Sequence, residues 1–264
     1  MPTNLAIHGA AGRMGQRLVA MAGEDDGLSV VCAIESVTHP KFGEDAGVVA
    51  GVGKIGVVIG EAVSAEANVL VDFSVPAATR QAMQACQVAG CAMIIGTTGL
   101  TDADQAAIDR AGESIAVLQA PNMSMGVNLL FSLVAKAAQV LGDDYDIEIS
   151  ETHHRFKHDA PSGTAMGIAQ AICEATDKDP ADTLVYDRHG DDVPRERGQI
   201  GMHALRLGDC AGEHTASYAT LGERLELRHV ATSRDIFVHG ALRAAAWLSG
   251  KRPGRYHMAD VLGL

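Results

Sequence analysis

The chain has 264 residues, 47% hydrophobic and 20% charged, which suits one large or two modest globular domains and excludes a disordered or fibrous chain. Lys and Arg number 21 against 33 Asp and Glu, a formal net charge of −12, so no basic field draws in nucleic acid. No apolar run reaches the roughly 18 residues that span a bilayer, and Met1 to Gly15 lacks the basic-then-apolar order of a signal peptide, so no membrane partner and a cytoplasmic location are expected.

From the N-terminus to about residue 123, short runs rich in Val and Ile alternate with Ala-rich stretches, and glycines mark the junctions. That alternation predicts an α/β domain with a parallel sheet. Strands are expected at residues 5–8, 28–34, 57–59, 69–73, 92–95 and 115–118, each nearly continuous in apolar residues because both faces are covered. Helices are expected at 12–22, 76–89 and 102–111, with Pro76 suited to a first turn. After Asn122 the pattern changes to a long striped helix at 126–141 and an alternating strand at 145–153. A helix at 165–175, a polar loop at 177–197 and three runs at 201–207, 213–220 and 224–230 follow, the last three read as antiparallel strands. This second part is expected to be a smaller α+β domain with a mixed sheet. The last helix, 234–248, is expected to dock back on the first part, giving a first domain of 1–123 plus 234–264 and a second of 124–233. Cys32, Cys86, Cys91, Cys173 and Cys210 are odd in number and contain no CxxC pair, so neither a disulfide framework nor a zinc site is suggested.

The first strand runs into Gly9-Ala10-Ala11-Gly12-Arg13-Met14-Gly15, which opens a helix. Backbone N–H groups and the positive helix end there suit a pyrophosphate, although the GxxGxxG spacing also fits an ordinary tight turn. The second strand leads to Glu35, twenty residues after Gly15, where a Rossmann-type dinucleotide-binding fold hydrogen-bonds the adenosine ribose. Two further loops, Gly96-Thr97-Thr98-Gly99 and Ala120-Pro121-Asn122-Met123, follow strands on the same carboxyl edge. Thr97 and Thr98 suit a nicotinamide carboxamide or a plain turn before a helix capped by Thr101 or Asp102.

The densest polar segment is Glu151-Thr-His153-His154-Arg-Phe-Lys157-His158-Asp159-Ala-Pro161-Ser162-Gly163-Thr164-Ala165, leaving a strand and entering a helix. Adjacent strand residues point to opposite faces, so His153 and His154 converge only if the strand ends there. Ser162, Gly163 and Thr164 supply a cap and N–H groups at a helix start, and Lys157 a fixed positive charge. The segment therefore suits a small carboxylated substrate beside a proton-donating His. A metal site is not expected: the histidines lack a recognised zinc spacing, and Lys157 repels a cation.

The segments at 9–15 and 96–99, and above all Glu151 to Ala165, resemble the 4-hydroxy-tetrahydrodipicolinate reductase family, and the resemblance continues through 197–201, 212–215, 222–226 and 245–248. It implies hydride transfer from NADH or NADPH to a cyclic dicarboxylate imine on the diaminopimelate route to lysine, with loss of water. It implies His153 as proton donor, Lys157 as second donor and carboxylate contact, and His154, Gly163 and Thr164 at the substrate, where the helix-start reading also puts Ser162. It implies the dinucleotide on Gly9, Ala10, Ala11, Gly12, Arg13, Met14, Glu35, Gly96, Thr97, Thr98, Ala120, Pro121, Asn122 and Met123. A homotetramer built through the second domain's sheet is also implied. Many family members carry Arg after the ribose-binding acid; here Ser36 stands there, so NADH is expected to be favoured, with Arg13 leaving use of NADPH open. Another Rossmann dehydrogenase, or a dinucleotide sensor that binds a metabolite without turnover, is the rival reading.

Overall fold

The computed structural model describes residues 1–264, which divide into two units, Met1–Met125 with Asp235–Leu264, and Gly126–Arg234.

The first unit is a seven-stranded, all-parallel sheet. In chain order it contains β1 (Thr3–His8), α1 (Arg13–Ala22), β2 (Leu28–Ile34), α2 (Ala46–Val49), β3 (Ile59–Gly60), β4 (Val69–Asp72), α3 (Pro76–Ala89), β5 (Ala92–Ile95), α4 (Asp102–Gly112) and β6 (Ala116–Gln119). The period of two along each strand divides the core. Leu5, Ile7, Val69, Val71 and Ile94 face the cluster that holds Leu18 and Val19 of α1. Ala6, Leu70, Met93, Ile95 and Val117 face the opposite cluster, with Met83 and Cys86 of α3 and Ile108 of α4. Both faces are thus covered, which is why the strands read as unbroken apolar runs. Strand order reverses between β1 and β4, opening a crevice at their carboxyl ends, where a dinucleotide lies in such sheets.

The second unit begins within α5 (Met125–Leu141) and continues with β7 (Asp146–His153), α6 (Gly163–Ala175), α7 (Pro180–Thr183), β8 (Leu184–Val185), β9 (Ile200–Arg206), β10 (Gly212–Thr220) and β11 (Glu223–Ala231). Its sheet has the order β11-β10-β7-β9-β8. One face carries the core, where Val134 of α5 and Ile168 and Ile172 of α6 meet Ile149, Ala216 and Tyr218. The chain then returns to the first unit as α8 (Asp235–Leu248), β12 (Gly254–Tyr256) and α9 (Met258–Leu262). Val238, Ala241 and Ala245 of α8 join the cluster of α1, and β12 pairs with β6.

Three details differ from the sequence expectations. The run at 201–207 is not antiparallel: β9 pairs parallel with both β7 and β8, because α6 and the segment after it carry the chain back over the sheet before β9 begins. The expected polar loop at 177–197 contains α7 and β8, and α2, β12 and α9 were not anticipated; each is too short to show a period. The stretch Met125–Asp144 is 20 residues long and passes as membrane-spanning by length and composition alone. Asn128, Ser132 and Lys136 break its apolar run; its buried side, with Val127, Leu130, Val134 and Ala138, belongs to helix α5.

Candidate active site

The glycine turn of the first unit is sterically dictated. Gly9 adopts φ +76°, which favours a residue without a side chain, and a Cβ at Gly15 would lie 2.1 Å from the Gly9 carbonyl oxygen. Gly12 is the N-cap of α1 and supplies no side-chain cap, so the first-turn N–H groups have no side chain to satisfy them. Glu35 lies just past the end of β2, its Oε2 accepting from the Ala11 amide at 3.2 Å and its Oε1 from the Ser36 amide at 3.0 Å. Each carboxylate oxygen keeps a further lone pair for a ribose hydroxyl. Gly9, Gly12, Glu35 and Ser36 line a cavity of about 710 Å³ together with His39, Ser74, Val75 and Gln81. A preformed recess, an uncapped helix N-terminus and an acid at its lip fit an adenine dinucleotide.

The two other predicted loops are brought together. Thr97, Thr98 and Gly99 share a cavity of about 290 Å³ with Gln119 and Pro121, since β5 and β6 are neighbours. The Thr97 hydroxyl, however, is turned inward: it donates to Asp72 Oδ2 at 2.8 Å and accepts from the Ser74 amide at 3.0 Å. Thr101, not Asp102, caps α4, in a reciprocal pair with Asp104. Asp72 is a residue the sequence reading missed. Wholly buried at the end of β4, it also accepts from Ser74 Oγ at 2.5 Å and Thr79 Oγ1 at 2.6 Å, with His8 Nδ1 at 2.8 Å. Burial pushes its pKa up, but the nearby His8 and the hydrogen bonds from Ser74 and Thr79 outweigh this and hold it below the ordinary carboxylate range.

The second unit carries the polar cluster. The strand does end where the two histidines part: His153 is the last residue of β7, and its carbonyl accepts from the Leu207 amide at 2.8 Å. Glu151 and His153, two apart, share the face that packs on α6. The sheet register sets His214 of β10 opposite Glu151 and Arg206 of β9 opposite His153. Glu151 is only 1% exposed and holds four donors. His153 Nδ1 lies 2.6 Å from its Oε2; Arg206 donates to Oε2 at 2.9 Å and Oε1 at 3.0 Å; the Ser162 amide donates to Oε1 at 3.0 Å. Burial raises the Glu151 pKa, and the bonds from Arg206 and His153 more than reverse this, leaving it lowered.

Ser162 caps α6, its Oγ accepting from the Ala165 amide at 3.2 Å and lying 3.0 Å from His214 Nε2, so both its polar groups are engaged within the chain. His214 meets the His153 ring edge-on at 5.1 Å, and burial followed by the neighbouring His153 lowers its pKa to about 4. Gly163 and Thr164 form the first turn of α6, and nothing lies within 4 Å of a Cβ placed on Gly163. Lys157 Nζ donates to both oxygens of the exposed Asp159 carboxylate, at 2.9 and 2.8 Å. His154 lies 3.4 Å from the Arg234 guanidinium and stands beside the Phe156 ring. Arg206 and His214 were also missed; they lie 55 and 63 residues beyond Glu151, and only strand register brings them to it. No group of three or more His, Cys, Asp or Glu side chains is arranged to hold a metal ion.

A glycine-turn nucleotide cradle on a doubly covered parallel sheet, with a separate unit presenting a carboxylate-held histidine and a lysine, defines an oxidoreductase of the nicotinamide-dinucleotide class. Comparison with known families narrows the class. Residues 3–123 match the family described as dihydrodipicolinate reductase, N-terminus, and residues 126–262 match dihydrodipicolinate reductase, C-terminus. The chain belongs to the dihydrodipicolinate reductase family. It is 48% identical to the 4-hydroxy-tetrahydrodipicolinate reductase of Alkalilimnicola ehrlichii over 100% of both chains, and 48% identical to that of Anaeromyxobacter dehalogenans over 99% of this chain and 98% of the relative. In fold it is similar to a dipicolinate-bound dihydrodipicolinate reductase from a Paenisporosarcina species, with TM-score 0.77 at 22% identity, covering 98% of this chain and 99% of that one. It also shares its fold, at TM-score 0.60 and 11% identity, with GenD2 of gentamicin A biosynthesis, solved with NAD, over 99% of this chain and 90% of that one.

Proposed function

We propose that this chain reduces 4-hydroxy-tetrahydrodipicolinate to tetrahydrodipicolinate, with loss of water, on the diaminopimelate route to lysine. The observation that supports it most is the grouping of His153, Lys157 and the N-terminus of α6 in one unit of a chain that matches the reductase family over its whole length. The nicotinamide, when bound, supplies the hydride. Gly9 to Met14 and Glu35 are the residues proposed to hold the dinucleotide, with Gly96 to Thr98 and Ala120 to Met123 at its nicotinamide end.

The chain's own part is to bind, orient and protonate. One substrate carboxylate meets Lys157 and the first turn of α6 at Gly163 and Thr164, where ammonium charge and helix dipole act together. Lys157 gives up Asp159 to do so, and an ion pair to a carboxylate 63% exposed is worth no more than about 1 kcal/mol, so the exchange costs little. His154 contacts the same substrate. His153, doubly protonated with its Nδ1–H held by Glu151, gives the Nε2 proton to the ring nitrogen as negative charge develops there and is left neutral with hydrogen on Nδ1. Holding the ring by its carboxylates turns an encounter into a reaction within a preset complex.

NADH is the favoured cofactor, because Ser36 offers no charge to a 2′-phosphate and its hydroxyl is engaged with Thr38 Oγ1 at 2.9 Å. The working assembly is a homotetramer and the location cytoplasmic. The test follows loss of nicotinamide absorbance from NADH and, separately, NADPH when purified protein meets substrate generated in situ from pyruvate and aspartate semialdehyde by the preceding synthase. Faster oxidation of NADH is expected. Nucleotide binding without any oxidation favours a metabolite sensor instead, and a strong preference for NADPH overturns the reading of Ser36.

A further inference from the structure

The proposed chemistry uses His153 and Lys157 but leaves unexplained why a buried carboxylate is forked to a half-buried guanidinium beside them. Glu151 is 1% exposed, and the Arg206 side chain is 21% exposed. Besides a bond from Nη1 to the Leu205 carbonyl at 2.6 Å on its own strand, Arg206 has two attachments. Its guanidinium forks onto Glu151, and Nη2 also donates to the Asp159 carbonyl at 2.6 Å, in the loop whose carboxylate holds Lys157. The donor count around Glu151 fixes the rest. Arg206 and the Ser162 amide are obligate donors, so the carboxylate acts only as acceptor, and His153 Nδ1 at 2.6 Å must carry a hydrogen. The other ring nitrogen, Nε2, then faces Gly212, where a Cβ would come within 3.0 Å and its absence leaves room.

We infer that Glu151 and Arg206 are a positioning pair: Glu151 locks His153 in the orientation with Nδ1–H on the carboxylate and Nε2 on the side of Gly212, and Arg206 ties that lock to the loop bearing Lys157. Neither touches substrate; both act through the two groups that do. The inference deepens the proposed reduction and rests on it for the role of His153. Glu151→Gln is the discriminating change, because an amide of the same shape replaces one acceptor oxygen with an NH₂ that must face Arg206 and either Ser162 N or His153 Nδ1–H.

In Glu151→Gln, kcat is expected to fall about 10- to 100-fold, as for other outer-shell partners of working histidines, with NADH affinity unchanged and KM for the substrate shifted far less than kcat. Arg206→Lys, which keeps the charge and loses the fork, is expected to lower kcat in the same way. The independent readout is ¹⁵N NMR of His153 in the wild-type enzyme, its signal assigned by disappearance in His153→Gln. In the neutral ring the hydrogen is expected on Nδ1, and in Glu151→Gln on a mixture of both nitrogens. Wild-type kcat in Glu151→Gln, or a neutral wild-type His153 protonated at Nε2, overturns the pair. The NMR readout needs no turnover, so it decides the inference even if wild-type enzyme oxidises no cofactor and the proposed reaction itself falls; should either variant fail to fold, the wild-type spectrum still decides.

Discussion

At the scale of single residues, two groups carry predictions with opposite physical origins. Lys157 acts through a charge near the surface. Lys157→Ala removes both the proposed carboxylate contact and the proposed second donor, so kcat is expected to drop about 100-fold or more while KM for the substrate rises, measured by steady-state kinetics at saturating NADH. His214 acts through burial. Its pKa falls from the ordinary 6.5 to about 4, so the unfolded chain binds the extra proton first, and stability present above pH 6.5 is lost as pH falls toward 4, by up to about 3 kcal/mol. Asp72 and Glu151, with lowered pKa values, add losses of the same sign at still lower pH. Denaturant unfolding at pH 7 and pH 4.5 is expected to show this drop, and His214→Gln, which keeps a partner for Ser162, is expected to reduce it; an equal drop in the variant refutes the assignment to His214. Such residues were unequally legible. Lys157, His153 and Glu35 stand in motifs whose spacing alone suggests chemistry, whereas Asp72 is a lone acid whose role comes from Thr79 and Thr97, seven and 25 positions on.

At the scale of elements, the turn between β1 and α1 is the most constrained piece. Gly15→Ala puts a methyl group 2.1 Å from the Gly9 carbonyl, closer than any relaxation of a flexible side chain can relieve, because the obstacle is backbone. The turn must open, and NADH affinity is expected to fall at least tenfold by fluorescence titration while circular dichroism keeps its helical signal; unaltered affinity would show that the turn does not form the nucleotide site. Elements of this kind were readable because their signal is local: apolar runs for β1, β2, β4 and β5, Pro76 for the start of α3, and a capping residue at Thr101 or Asp102 for α4. The misread direction of β9 shows the limit. Hydrophobic pattern reports that a strand has a buried face, while parallel or antiparallel pairing depends on which neighbour the intervening chain delivers it to.

At the scale of the whole molecule, the five-stranded sheet leaves one face without a helix. His214, Ala216 and Tyr218 of β10 are buried against α5 and α6, while Glu213, Thr215 and Ser217 on the other side stay partly open. If that face is the proposed tetramer contact, sedimentation should give four chains, and Thr215→Arg should give smaller species; a wild-type monomer at assay concentration would remove the proposal. The sequence by itself determined the division into an α/β half and a mixed half, the glycine turn at 9–15 and the polar segment from Glu151 to Ala165. Each of these is written in contiguous residues, where steric limits on glycine, capping chemistry and hydrophobic period act over one or two turns of chain. Only the tertiary structure decided that Arg206 and His214 join Glu151, that Thr97 turns inward to Asp72, and that β12 extends the first sheet beside β6. Those outcomes depend on strand register and burial. A buried carboxylate must find its donors wherever the fold brings them, and their distance along the chain leaves no trace in local pattern.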